Sequence, residues 1–185
     1  KYIDIPLQHA SDRLLDSMNR FDTREQVETL LNKLRTRIPG ITIRTTFIVG
    51  FPGETEEDFE ELKDFVEKQR FENAGVFQYS QEEGTVAGAM ENQIAPEVKE
   101  NRYHELMALQ AGISEEIHQE REEAELEVLV EGFDEDNLAY GRSSHEAPDI
   151  DGTIFIENAE GLAVGDMVRV RILQGFTYEM VAEKV

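Results

Sequence analysis

The stretch TTFIVGFPGETEEDF, Thr45 to Phe59, joins an apolar run, a Gly-Phe-Pro-Gly turn and an acidic helix start. Phe47-Ile48-Val49 carries no charge and is rich in β-formers, which suits a strand buried on both faces, as parallel strands are. The chain then turns at Gly50 to Gly53, with Pro52 fixing its own φ. Thr55 precedes Glu56, Glu57 and Asp58, so a capping hydroxyl stands before three acids that complement the positive end of the helix dipole. The stretch predicts a strand-turn-helix unit. Loops leaving the carboxyl ends of parallel strands are where α/β proteins bind ligands, and Gly50 and Gly53 let backbone approach a ligand closely. The same residues also punctuate ordinary turns.

Upstream, Tyr2 to Leu7 reads as a short apolar strand, and Ser11 or Asp12 stands where it caps a helix carrying Leu14, Leu15 and Met18. Thr23 and Gln26 lie at capping-box spacing, and Val27, Leu30, Leu31 and Leu34 mark one apolar face of a second helix, which Pro39-Gly40 stops. The strand of the quoted stretch then runs from Ile41 to Val49. Downstream, Phe59, Leu62, Phe65 and Val66 fall at helical spacing, and a third strand is predicted over Ala74 to Tyr79. A longer helix opens near Pro96 with Val98, Leu106, Leu109, Ile113 and Ile117 on one side. These are βα repeats. Only three strand-helix units are present, whereas a closed eightfold barrel needs about 250 residues for itself. The chain therefore reads as a carboxyl-terminal piece of something larger, or as half of an open barrel.

After Glu125 the period changes to two. LEVLVEG, LAYGRS, GTIFIE, VRVRI and YEMVAE are short alternating strands between Gly- and Asp-rich turns, the pattern of a small β-barrel. From residue 126 onward four basic residues face thirteen acidic ones, a net of −9, whereas an oligonucleotide-binding barrel is normally basic. The whole chain carries 40 acids against 18 bases, a net charge of −22, which repels phosphates and favours a basic protein as partner. Zero cysteines exclude disulfides and thiolate ligation by any residue of this chain. No stretch is long and apolar enough to span a bilayer and no signal sequence opens the chain, so the expected compartment is the cytosol.

The stretches YIDIPLQHASDRLLDSMNR (2–20), IRTTFIVGFPGETEEDF (43–59), VFQYSQEEGTVA (76–87) and GRSSHEAPDIDG (141–152) resemble the second half of the radical S-adenosylmethionine methylthiotransferases, over essentially the whole chain. Within that family DIPLQHAS and GRSSHEAPDIDG are similar to the branch that modifies an aspartate of small-subunit ribosomal protein S-twelve. Members of the tRNA-modifying branch usually show Gln-Ser-Gly-Ser where this chain has Gln8-His9-Ala10-Ser11. The resemblance implies an α/β plus all-β fold: the carboxyl-terminal part of an open radical-SAM (β/α) barrel over 1–125, then a five-stranded antiparallel TRAM barrel over 126–185. It implies S-adenosylmethionine and two [4Fe-4S] clusters as cofactors, the clusters ligated by cysteines outside this chain, in the missing amino-terminal half. Without those ligands the chain alone is expected to be inactive. In the parent protein, cleavage of the cofactor would start hydrogen abstraction from the β-carbon of the aspartate, with sulfur delivered from the second cluster.

The resemblance also assigns residues. Ile48, Gly50 and Gly53 are expected at the adenine of the cofactor, and Gln8 and Ser11 at its ribose or methionine part, with Ser11 equally placed to be a plain helix cap. Arg44 and Thr46 are polar positions in an apolar strand, expected to face the barrel interior and bind substrate; Arg44 suits a carboxylate through its forked donors, a surface ion pair being the rival role. Tyr79 and Ser80, ending the third strand, are a weaker instance of the same pattern. His9 reads as a hydrogen-bonded structural residue, because no partner ligands stand at metal-binding spacing. The acidic TRAM barrel is expected to steer the basic ribosomal protein, with nucleic acid a weaker partner. Two other readings stay open: the same architecture acting on tRNA, and a non-catalytic acidic module that binds a basic protein.

Overall fold

A computed structural model describes residues 1–185. It divides into two compact units, Ile3–Gln110 and Ala111–Val185 together with Lys1–Tyr2. In the first, β1 (Tyr2–Gln8), β2 (Thr42–Val49) and β3 (Asn73–Gln78) form a sheet in the order β1-β2-β3. β2 and β3 are parallel, with Thr46 beside Gly75 and Ile48 beside Phe77. Helices α1 (Asp12–Ser17) and α2 (Arg24–Arg37) connect β1 to β2, and α3 (Glu56–Gln69) connects β2 to β3. A single 3-10 turn, Ala87–Ala89, precedes α4 (Pro96–Glu120).

Along β2 the burial alternates. Ile43, Thr45, Phe47 and Val49 are buried, whereas Arg44, Thr46 and Ile48 are half-buried. The strand has one covered face and one open face, not the two covered faces that its apolar run predicts. The reason is where the aromatic cover lies: Phe65 of α3 and Phe71 meet the Phe47 ring edge-on, with centroids 6.4 and 5.8 Å away. Side chains of opposite parity point to the other face of the pleat and receive none of that cover.

The expected capping box forms in α2, and the expected Thr55 cap of α3 closes into a second box. In α2 the Gln26 N–H donates to Thr23 Oγ1 while the Thr23 N–H donates to Gln26 Oε1. In α3 the Asp58 N–H donates to Thr55 Oγ1, and the Thr55 N–H donates to Asp58 Oδ2 at 2.8 Å. Thr55→Ala is expected to cost about 1 kcal/mol in a urea titration, the usual value of a lost cap. Ser11 departs from its predicted capping role. It occupies the N-cap position of α1, but its hydroxyl makes no cap bond and donates instead to Asp58 Oδ1 at 2.7 Å.

The buried stripe of α4 is also more polar than its leucines and isoleucines predict. Arg102, Leu106 and Gln110 are buried in the first unit and Ile113, Ser114 and His118 in the second, while Leu109 and Ile117 are half-buried and Val98 is exposed.

In the second unit β4 (Glu125–Phe133), β5 (Ala139–Arg142), β6 (Thr153–Glu157), β7 (Met167–Gly175) and β8 (Glu179–Lys184) close a barrel in the order β4-β5-β6-β8-β7. Four seams are antiparallel; the fifth, β6 with β8, is parallel. The inward residues of the period-two pattern make the core, with Ile154, Ile156, Val170 and Ile172 wholly buried. Register shifts between Val130 and Gly132 in β4 and between Ile172 and Gln174 in β7 bend long strands around the small circumference. Gly175 lets the end of α4 approach, since a Cβ there would lie 2.3 Å from the His118 carbonyl carbon. His118 Nδ1 is 2.6 Å from the Phe176 carbonyl oxygen, and burial holds the ring below the usual histidine range. No helix is long and apolar enough to cross a membrane.

Candidate functional site

At the carboxyl edge of the three-stranded sheet lies a cleft of about 650 Å³. Gln8 at the end of β1, Ile48 on the open face of β2, Phe51 in the Gly-Phe-Pro-Gly turn and Tyr79 just past β3 form its walls. The segment after α1 (Met18, Asn19 and Arg20) and the tip at Val86 rim it. Three local features single it out as a candidate binding site. The backbone of Gln8 holds φ at 71°, a left-handed conformation unusual for a residue with a side chain. The Tyr79 hydroxyl oxygen is buried without a hydrogen-bond partner in the chain, a state costly to leave uncompensated. The remaining wall, Ile48 with Phe51, is apolar, so a flat ring fits there and a polar group fits at Gln8.

Behind the cleft a buried polar brace holds the turn in place. Glu54, whose side chain is wholly buried, accepts the N–H groups of Gly50 and Phe51, the latter at 3.1 Å. Arg102 of α4 donates to Glu54 Oε1 at 3.1 Å, reaches Glu56 at 3.1 Å, and lies over the Phe59 ring. Burial pushes the Glu54 carboxyl up, to about 7, against the opposing pull of Arg102 and the two amides. Beside it, burial pushes the Asp58 carboxyl up, but the hydrogen bonds from Ser11, Thr55 and Arg13 outweigh burial and hold it below the usual carboxylate range. Burial lowers His9 to about 4, so the ring is neutral. Its Nδ1 accepts the Ser11 N–H at 3.0 Å, which places the proton on Nε2, buried and without a partner in the chain. No group of three His, Cys, Asp or Glu side chains stands where it could hold a metal ion.

Lys99, also from α4, explains one glycine. Its Nζ donates to the Tyr79 carbonyl at 2.9 Å and sits 4.9 Å from the centre of the Tyr79 ring. A Cβ at Gly50 would lie 2.4 Å from the Lys99 side chain, and Gly50 itself has φ of 73°. Gly53 is comparable: φ is 81°, its N–H donates to the Asn92 carbonyl at 2.9 Å, and a Cβ would meet the Asn92 side chain at 2.3 Å.

Of the residues expected to contact a cofactor, the structure brings Gln8 and Ile48 together on the cleft wall. Ser11, Gly50 and Gly53 lie in the brace and turn behind it and do not line the cleft. Arg44 and Thr46 share the open face of β2 with Ile48, and Arg44 Nη1 donates to Asp4 Oδ2 at 2.8 Å. The Ser80 hydroxyl donates to Glu82 at 2.7 Å. Glu54, Lys99, Arg102 and Arg20 were not legible as site residues. A hint existed for two of them: Glu54 is an acid inside a glycine-proline turn, and Arg102 falls four residues before Leu106 on the buried stripe of α4.

Two family models match the chain, the Radical SAM superfamily over residues 1–66 and the TRAM domain over 124–185. The ribosomal protein uS12 methylthiotransferase RimO of Caldanaerobacter subterraneus subsp. tengcongensis is 51% identical over 183 residues, 99% of this chain and 42% of the relative. The chain is similar to RimO methylthiotransferases over nearly all of its own length and carries a Radical SAM and a TRAM segment. The RimO of Desulforamulus reducens is also 51% identical, over 99% of this chain and 42% of its own length. That of Bdellovibrio bacteriovorus is 49% identical over the whole chain and 41% of its own length. The chain thus spans about two fifths of the RimO proteins it matches. The Radical SAM match covers β1 and β2 and hence the Gln8 and Ile48 walls of the cleft, and the TRAM match covers the closed barrel.

Proposed function

We propose that this chain is the carboxyl-terminal part of a methylthiotransferase that modifies an aspartate of ribosomal protein uS12, with residues 1–125 completing a radical-SAM barrel and 126–185 forming its TRAM domain. The observation that carries the reading is the identity of about one half over 99% of the chain to proteins named for that activity. The cleft agrees with it. The apolar Ile48 and Phe51 suit an adenine ring, while Gln8 suits the ribose. Ser11, Gly50 and Gly53 serve the same ligand from behind, through the turn that Glu54 and Arg102 hold. Arg44 and Thr46 extend the open face of β2 away from the cleft, toward substrate.

S-adenosylmethionine, bound beside a [4Fe-4S] cluster that other residues of the parent protein ligate, supplies hydrogen-atom abstraction. This chain's residues bind the adenosyl group, fix its orientation through a turn that cannot relax, and keep water from it. No acid-base pair is required of them. A cytoplasmic location fits a ribosomal substrate.

The test is a protein containing this chain at the full length of its relatives, loaded with both clusters and given S-adenosylmethionine and a reductant. A methylthio group on a uS12 peptide, read by mass spectrometry, is the expected result; modification of tRNA nucleosides instead would overturn the reading. The net of −9 in the TRAM barrel gives a second expectation. At low salt the 185-residue chain should bind basic uS12 more tightly than tRNA and lose that preference as salt rises. Equal or stronger binding to tRNA would contradict it.

A further inference from the structure

Gly75, Gly132, Gly141 and Gly175 lie inside strands, where a glycine weakens the structure unless something requires it. Crowding requires three of them. A Cβ at Gly132, Gly141 or Gly175 would run into the Tyr140 side chain, the Leu129 carbonyl or the His118 backbone. Gly75 of β3 is different. Its φ is not left-handed, and a Cβ there would meet Thr46 Cγ2 at 3.6 Å, Phe77 Cε2 at 3.7 Å and Arg44 Nη2 at 3.9 Å, all ordinary van der Waals distances. Neither backbone nor neighbours in this chain demand a glycine at 75.

Those neighbours place the missing side chain on the open face of the sheet, next to the cleft. Gly75 lies beside Thr46 in register, and the next pair along the same face is Phe77 beside Ile48, the apolar wall of the cleft. One such step is about 7 Å. Phe77 is 58% exposed, so its ring stands on the cleft side of the bare backbone. On the other side is the Arg44 guanidinium, whose Nη1 donates to Asp4 at 2.8 Å. A strand glycine marks a place where a ligand or another backbone approaches closely. Here that place is flanked by an aromatic ring, the Thr46 side chain and a cation.

We propose that Gly75 is a specificity residue of the substrate site: the aspartate-bearing segment of a basic protein packs against its bare backbone, with Phe77 along its apolar side and Arg44 toward the carboxylate. The proposal rests on the reading of the cleft as an adenosyl site. Under that reading the reacting carbon of the substrate comes within about 3–3.5 Å of a group held beside Ile48, and the adjoining step of the same face is where the rest of the segment lies. The net charge of −22 attracts a basic protein, and a guanidinium selects an acid within it.

The test uses a protein containing this chain at the full length of its relatives, loaded with both clusters, and its Gly75→Val and Gly75→Ala variants. Three quantities are read: the urea midpoint, the affinity for S-adenosylhomocysteine, and KM for a basic peptide carrying one aspartate. Valine is a strong strand former and its Cβ has room, so the urea midpoint is expected to hold or rise. Affinity for S-adenosylhomocysteine is expected to stay unchanged, because Gly75 does not line the cleft. KM is expected to rise about tenfold in Gly75→Val and about threefold in Gly75→Ala, since the added carbons stand where the substrate packs. The alanine variant carries the test if the valine variant folds poorly. An unchanged KM in Gly75→Ala and in any folded Gly75→Val overturns the proposal and leaves the adenosyl site standing. A lower urea midpoint in Gly75→Ala also overturns it, because another segment of the parent protein then fills the space. A wild-type protein that binds no S-adenosylhomocysteine, or leaves the peptide unmodified, overturns the reading beneath it and the substrate contact with it.

Discussion

Arg102→Met is expected to destabilise the Ile3–Gln110 unit by about 3–5 kcal/mol at about pH 8, because it leaves the buried Glu54 carboxylate without its cation. The penalty should shrink toward about pH 5, and the sign follows from the direction of the Glu54 shift. Its folded-state value, raised by burial to about 7, lies above the 4.5 of an ordinary glutamate. The fold therefore favours the protonated form relative to the unfolded chain. That contribution is complete below the unfolded value and is lost as pH rises through about 7. Removing Arg102 makes the ionised form costlier still, so the loss concentrates where Glu54 must ionise. Urea titrations of wild type and variant at both pH values measure it, and adding Glu54→Gln to Arg102→Met should return part of the stability by removing the stranded charge. A penalty independent of pH would contradict the role given to this pair.

Phe47→Ala is expected to cost about 3–5 kcal/mol, the range for emptying a large buried aromatic site. Phe47 is wholly buried and meets both Phe65 and Phe71, whose own ring centroids are 5.8 Å apart, so the three rings form one packed group between β2 and α3. The aromatic contacts add to the area lost. Set against a typical domain stability of about 5–15 kcal/mol, this change brings the unit close to unfolding at ambient temperature. Chemical denaturation checks it; a loss below about 1 kcal/mol would show that the three rings do not form the tight core described here.

The parts of this fold that were legible in the sequence are those set by short-range pattern. The Thr23–Gln26 capping box, the Thr55 cap, the turn at Gly50 to Gly53 and five alternating strands after Glu125 depend on neighbours within a few residues, and each is where the pattern puts it. What lay beyond reach depends on pairing across long separations. Period two says which side chains point inward but not which strand lies alongside, so the parallel β6–β8 seam has no local mark. An apolar run such as Phe47-Ile48-Val49 likewise cannot say how many faces are covered.

The candidate site shows the same division. Gln8 and Ile48, which the resemblance assigned to a cofactor, both line the cleft at the carboxyl edge of the sheet. Glu54 and Arg102 are 48 residues apart, and nothing local in either predicts the buried pair. Arg20 resembles any surface arginine until Asn19 turns the chain and the Pro6 carbonyl holds it at the rim. Ser11 was plausible as a cap by position alone; the Asp58 carboxylate, reached only in the fold, is the stronger acceptor for its hydroxyl.

The central claim is that the cleft between Gln8, Ile48, Phe51 and Tyr79 receives an adenosyl group. Amide hydrogen exchange of the 185-residue chain, followed by mass spectrometry with and without S-adenosylhomocysteine, tests it most directly. Slower exchange confined to peptides containing Gln8, Ile48 to Phe51 and Tyr79, with the TRAM barrel unchanged, is the result predicted. Saturating ligand that leaves those peptides unprotected, or that protects the barrel instead, would contradict the account.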